Sequence, residues 1–105
     1  MNIQWLLTDS SKWTQNALAK TSKNELTWQD DLDAVCWSLL GAIRLCYPFA
    51  EQGYIIQRVY DYLNLHYAPH KDIPWSDEKK PMIFWNDEKT RTFADVRKLI
   101  EDLGI

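Results

Sequence analysis

The stretch Asp33-Ala34-Val35-Cys36-Trp37-Ser38-Leu39-Leu40-Gly41-Ala42-Ile43-Arg44-Leu45-Cys46-Tyr47 governs how this chain is read. At helical spacing, Val35, Leu39, Ile43 and Cys46 form one stripe, with Leu40 and Tyr47 beside it. Ala34, Trp37, Gly41, Arg44 and Leu45 occupy the other side. A helix that is apolar on nearly every face belongs in the middle of a domain, so the spacing predicts a long central helix from Asp33 to Tyr47. The acids of Gln29-Asp30-Asp31-Leu32-Asp33 suit its N-terminus, where N–H groups are free and the dipole is positive. Gly41-Ala42 lets another element come close, and Pro48 ends the helix. Beyond Asp33 at its start, Arg44 is the one full charge within it. An unpaired buried guanidinium is very costly, so Arg44 is expected to find a carboxylate or carbonyl partner among residues 84–95. Asp87 is the first candidate and Asp95 the next, with Trp37 packed nearby.

Outward from this helix, a second amphipathic helix is expected from Phe49 or Gly53 to Tyr67. Ile55, Ile56, Val59, Tyr60, Tyr62, Leu63 and Tyr67 cover one arc, and Gln57, Arg58, Asp61 and Asn64 the other. Pro69 stops it, and Ala68 to Pro81 reads as a loop carrying Trp75. Met82-Ile83-Phe84-Trp85 is a strand or an extended buried segment, followed by a turn at Asn86-Asp87-Glu88-Lys89. Thr92 and Asp95 match a capping box, with Val96, Leu99, Ile100 and Leu103 at helical spacing and Gly104 closing the helix. Near the start, Ile3 to Leu7 fits a short helix ending at Asp9-Ser10-Ser11. The segments Trp13 to Lys20 and Leu26-Thr27-Trp28 flank the polar Thr21 to Glu25. They form either a hairpin or irregular chain packed on the core. The expected fold is mainly α: one domain spanning residues 1–105, about four helices, and a short accessory β-hairpin as its β element.

Composition narrows the function classes. With 46% hydrophobic residues, 3 Gly and 4 Pro in 105 residues, the chain can bury one core without staples. Its 6 Trp, 5 Tyr and 3 Phe either build core volume or line a partner surface. A net charge of -3 and paired acids beside Lys79-Lys80 and Arg97-Lys98 argue against nucleic acid as partner. Met1 to Asp9 lacks the pattern of a signal peptide. The apolar run Ala34 to Tyr47 is shorter than the ~20 residues that span a bilayer. The expectation is a cytoplasmic protein with no membrane partner, in keeping with two reduced cysteines. Placed on one helix, Cys36 and Cys46 would lie roughly 15 Å apart, beyond disulfide reach, as small buried hydrophobes.

No catalytic constellation can be written from these residues. His66 and His70 are separated by Pro69, and neither CxxC nor HExxH occurs, so no metal and no cofactor is expected. GxSxG, GxGxxG and the P-loop pattern are missing too. Asp30-Asp31-Asp33 and Asp87-Glu88 read as helix caps and solvated loop.

Three segments, taken in order, carry a resemblance: Trp13-Thr14-Gln15-Asn16-Ala17-Leu18-Ala19, Ala34 to Ile43, and Trp85-Asn86-Asp87 with Thr92-Phe93-Ala94-Asp95-Val96. Together they resemble a family of small bacterial and phage proteins of unknown function, with W-T-Q-G-A-x-A, W-C-x-x-G-A-L and W-N-D…T-x-x-D/E-V motifs. Two positions depart from it. Cys36-Trp37 inverts the Trp-Cys order, and Asn16 stands where the family usually has glycine. The resemblance implies an architecture and assigns no activity.

Two function classes follow, with a structural or self-assembling component as a third. The first is a non-enzymatic protein-interaction or regulatory module of phage origin, binding a protein partner through an aromatic surface. The alternative is a small-molecule-binding domain or an enzyme of unrecognised type, with Trp37, Arg44, Trp85, Asn86 and Asp87 around one pocket. Convergence of those five side chains would favour the alternative.

Overall fold

The computed structural model describes residues 2–67 and 79–105. Among them are five α-helices and three short strands. These are α1 (Ile3–Leu6), β1 (Ala19–Thr21), β2 (Leu26–Thr27), β3 (Ala34–Trp37), α2 (Leu39–Cys46), α3 (Phe49–His66), α4 (Lys79–Asp87) and α5 (Phe93–Leu103), with a 3-10 turn at Ser10–Lys12. The fold is mainly α with an accessory antiparallel sheet in the order β2-β1-β3. Trp75 and His70 of the sequence reading, and the expected loop up to residue 78, lie outside the described residues.

The expected helix Asp33 to Tyr47 is instead a strand followed by a helix. Ala34–Trp37 pairs with β1, setting Trp37 opposite Ala19 and Cys36 opposite Lys20, with an irregularity that takes up Val35. Valine, cysteine and tryptophan suit a pleated, half-buried surface, and β1 offers them a backbone partner. Ser38 then starts the helix. Its extended backbone and its hydroxyl, accepting from the Gly41 N–H at 3.1 Å, make it the N-cap. The acids before the strand cap no helix. Asp31 accepts from the Asp33 N–H at 2.9 Å and from the Thr27 hydroxyl, which fixes the turn between β2 and β3. Cys36 and Cys46 consequently sit on different elements, both unpaired, with Cys46 buried and Cys36 only half-buried.

Although shorter than expected, α2 is central. It touches α1, α3, α4 and β3. Gly41 is where α2 meets the chain before β1: a Cβ there would lie 1.9 Å from the Leu18 carbonyl oxygen. That carbonyl also accepts from the Ser38 N–H at 3.1 Å. Helix α3 follows the expected arc, burying Ile55, Ile56, Val59, Tyr62 and Leu63. Helix α5 has both halves of its capping box, Thr92 with Asp95, and ends on Gly104 in the left-handed region, φ 68°.

The second correction concerns residues 79–87. Met82-Ile83-Phe84-Trp85 is neither a strand nor extended chain but the middle of α4, and the expected loop to Pro81 ends at residue 78 at the latest. Met82, Trp85 and Asn86 are buried, at the i, i+3, i+4 spacing of one helix face, while Ile83 and Phe84 are exposed. Pro81 falls in the first turn, where its missing N–H costs nothing. Ile3, Leu7, Leu39, Ile43, Val59, Trp85, Val96 and Ile100 join in one core.

Candidate functional site

Three distant segments of sequence meet at Asn86, the penultimate residue of α4, which is 1% exposed. Its Oδ1 accepts from the Trp13 indole N–H at 2.8 Å and from the Leu39 N–H at 3.0 Å. The second of these bonds satisfies a free donor at the start of α2. Its Nδ2 donates to the Thr14 carbonyl at 3.2 Å and to Asp87 Oδ1 at 2.9 Å. Gln15 Nε2 completes the junction, donating to the carbonyls of Asn86 and Glu88 at 2.9 and 2.8 Å. Asp87 Oδ1 also accepts from the Asn16 N–H at 2.9 Å. Asn16 has φ 64°, a conformation that asparagine tolerates and glycine adopts freely.

Beside this junction lies a cleft of about 370 Å³ lined by Asn16, Ala17, Leu18, Ser38, Leu40, Ile83, Asn86 and Asp87. Of the five residues expected around one pocket, Asn86 and Asp87 line this cleft and Trp37, Arg44 and Trp85 do not. Trp37 packs partly against the core and its indole N–H donates to the Gln29 carbonyl at 2.9 Å. Trp85 is buried, in edge contact with Tyr67.

Arg44 is half-buried, and its guanidinium has no hydrogen bond or ion pair among the described residues, hence none with residues 84–95. Water reaches this side of α2, so the burial cost that required a partner does not arise. The acids assigned to Arg44 are also engaged elsewhere, Asp87 by Asn16 and Asn86, and Asp95 by the Thr92 N–H. The enclosed arginine is Arg91. Its guanidinium lies 4.2 Å from the centroid of the Trp85 ring and 5.0 Å from that of Tyr67. Its Nε donates to the Trp85 carbonyl at 2.9 Å, and Glu88 pairs with it at 2.8 Å. Arg91 was not singled out from the sequence, because only the fold brings it against Tyr67, the residue after α3, and Trp85 of α4.

A second candidate surface was not singled out from the sequence. Leu26 is 71% exposed, Trp28 66%, and Leu32 wholly so, with Val35 also exposed. Leu26 and Lys20 are partners across the sheet, as are Lys20 and Cys36. Directly paired residues share a face, so this row is the outer face, and the fully buried Ala19 belongs to the inner one. Glu25, Asp30, Asp31 and Asp33 flank the apolar side chains, and residues 24–37 contain no Lys or Arg. The usable signal was this alternation of acids with Leu26, Trp28 and Leu32; the acids were expected to cap a helix, and Leu26-Thr27-Trp28 to form a hairpin or irregular chain packed on the core. Among the described residues no three His, Cys, Asp or Glu stand close enough to hold a metal, and no helix is long and apolar enough to cross a membrane.

Fold and surface thus define a small, mainly helical protein with an accessory sheet and a junction tying its first segment to α4. The chain belongs to a family of unknown function, DUF6197, whose model matches residues 4–103. Comparisons with curated proteins and with solved structures found no match.

Proposed function

We propose that this protein is an interaction module that binds a basic, apolar segment of a partner protein with the outer face of its sheet and the turn from β2 to β3. One observation carries the reading: Leu26, Trp28, Leu32 and Val35 stand exposed within ten consecutive residues of chain whose only charges are acids. Exposed apolar clusters rimmed by polar groups mark interaction sites, and tryptophan anchors are common among energetic hot spots. The acids of the turn, Asp30, Asp31 and Asp33, would steer a basic partner and disfavour an acidic one there, with Lys20 in the adjoining row of the sheet. Exposed apolar residues are also found on α3, but apart from one another. Phe49 and Leu65 sit at opposite ends of α3, roughly 24 Å apart at the helical rise. The two unpaired thiols fit a reducing, cytoplasmic setting, and the resemblance to bacterial and phage proteins fits a regulatory role there.

The test uses a photo-crosslinking residue at Val35 in cells. Wild-type surface elsewhere should give one dominant protein adduct. Trp28→Ser with Leu32→Ser should remove that adduct while leaving the urea midpoint in place. The same adduct from the double variant, or from a crosslinker placed at Tyr54 on α3, would refute the reading.

A further inference from the structure

The cleft beside Asn86 has a chemical character distinct from the sheet face. Ala17, Leu18, Leu40 and Ile83 give it apolar walls, and its polar groups are Asn16, Ser38, Asn86 and Asp87. Asn86 is consumed: both hydrogens of its amide and both acceptor positions of its oxygen are engaged within the fold. Asp87 is not. Its Oδ1 takes the Asn16 N–H and the Asn86 amide, and among the described residues Oδ2 has no hydrogen-bond partner and the carboxylate no ion pair. Ser38 Oγ accepts from the Gly41 N–H, which leaves its own proton to donate. Among the described residues no Lys, Arg or His lines the cleft. A carboxylate held by one oxygen, with the other uncommitted beside apolar walls, is complementary to a cation with an apolar body.

From this geometry we infer that the cleft is a binding site for a small primary ammonium ion carrying a compact apolar group. The ammonium sits on Asp87 Oδ2, and the body lies between Leu18, Leu40 and Ile83. The volume of about 370 Å³ is near the lower end of ligand pockets, which restricts the body to about one ring. A neutral alcohol of the same shape keeps the apolar contact and loses the charge-assisted bond. A carboxylate meets like charge. The inference is independent of the interaction reading: it uses different residues, and either can fail alone.

The probe is benzylamine, titrated into the 15N-labelled protein near neutral pH, with benzyl alcohol and benzoate as controls. Benzylamine should shift the amides of residues 16–18, 38–40 and 83–87 saturably, at least tenfold more tightly than benzyl alcohol, and benzoate should leave them unmoved. Asp87→Asn keeps an Oδ1 acceptor for Asn16 and Asn86, and should weaken benzylamine at least tenfold while leaving the alcohol unchanged. Ile83→Trp, on the open wall, should fill the cleft and abolish both. It also keeps the test decisive if Asp87→Asn loses its fold. An Nα-acetyl-lysine methylamide arm separates sources: tighter binding than benzylamine assigns the ammonium to a side chain presented by another protein, and weaker binding assigns it to a free amine. Equal affinity of amine and alcohol, shifts centred on residues 30–33, or wild-type binding by Ile83→Trp would overturn the assignment.

Discussion

Asn86 uses every side-chain hydrogen-bonding group it possesses. Truncating it strands the Leu39 N–H and the Thr14 carbonyl in the interior, along with the Trp13 indole N–H. A buried unsatisfied group costs about 1–3 kcal/mol, so Asn86→Ala should lose about 3 kcal/mol or more, measured from urea unfolding. Asn64→Ala, on the exposed side of α3, should change stability by less than about 0.5 kcal/mol. The glycines make a second contrast. In Gly41→Ala the new methyl meets backbone, 1.9 Å from the Leu18 carbonyl oxygen, and neither partner can turn aside. Overpacking of this kind costs typically about 1–3 kcal/mol, and a backbone clash puts Gly41→Ala at the upper end. Gly53 lies in α3 with nothing within 4 Å of its Cβ position, so Gly53→Ala should stabilise by up to about 1 kcal/mol. Equal melting shifts for the two alanine variants would contradict the packing described.

The helices close their ends with side chains borrowed from one another. Arg97 of α5 donates to the Gln4 and Leu7 carbonyls at the end of α1, at 2.8 and 3.3 Å. Arg58 of α3 donates to the Leu103 carbonyl of α5 at 2.6 Å, and Gln52 to the Tyr47 carbonyl after α2 at 3.0 Å. These bonds satisfy acceptors that a helix end leaves free. Helices α3 and α5 are also joined where the Tyr62 hydroxyl donates to Asp102 at 2.7 Å and Lys98 pairs with the same oxygen at 2.9 Å. Burial first, and then the bond to Asp102, push the Tyr62 hydroxyl up to about 12. Its bond to Asp102 raises Lys98, and the bonds from Tyr62 and Lys98 lower Asp102. A raised group stabilises fully below its unfolded value and loses that contribution as pH climbs through the folded one. Stability should therefore decline between pH 10 and 12, and Tyr62→Phe should flatten that decline. Absorbance of tyrosinate would show one fewer late-titrating tyrosine in the variant. Asp102 acts at the other limb, its contribution fading as pH falls below the ordinary carboxylate range.

At the scale of the molecule, what could be read from sequence was what is encoded locally. Thr92, Asp95 and Gly104 mark α5 within a dozen residues, and the arc from Ile55 to Leu63 marks α3. The mainly α class with a small accessory sheet follows from those periods and the polar turn Thr21 to Glu25. The segment Ala34–Trp37 could not be read alone, because its apolar pattern suits a helix and β1 is what makes it a strand. Helix α4 was hidden because four contiguous apolar residues conceal which two face inward. For the site, Asn86 and Asp87 were legible as polar residues after a tryptophan. Asn16 and Ser38 were not, since only the folded chain brings them beside α4. Arg44 was singled out because sequence shows a charge among apolar neighbours without showing which side of the helix is wet.

The Asn86 junction also has a kinetic meaning. Its bonds to residues 13–15 join positions 71–73 apart in the chain, and Asn16 reaches Asp87 across 71. Contacts closing so long a loop bear its entropy and are rewarded only after the intervening helices have assembled. The junction then acts as a latch set after the barrier. Asn86→Ala should steepen escape from the native state, raising the unfolding arm of a chevron plot while the refolding arm stays near wild type. The expected outcome is that the lifetime of the folded molecule depends on this buried amide more than the speed of its formation does.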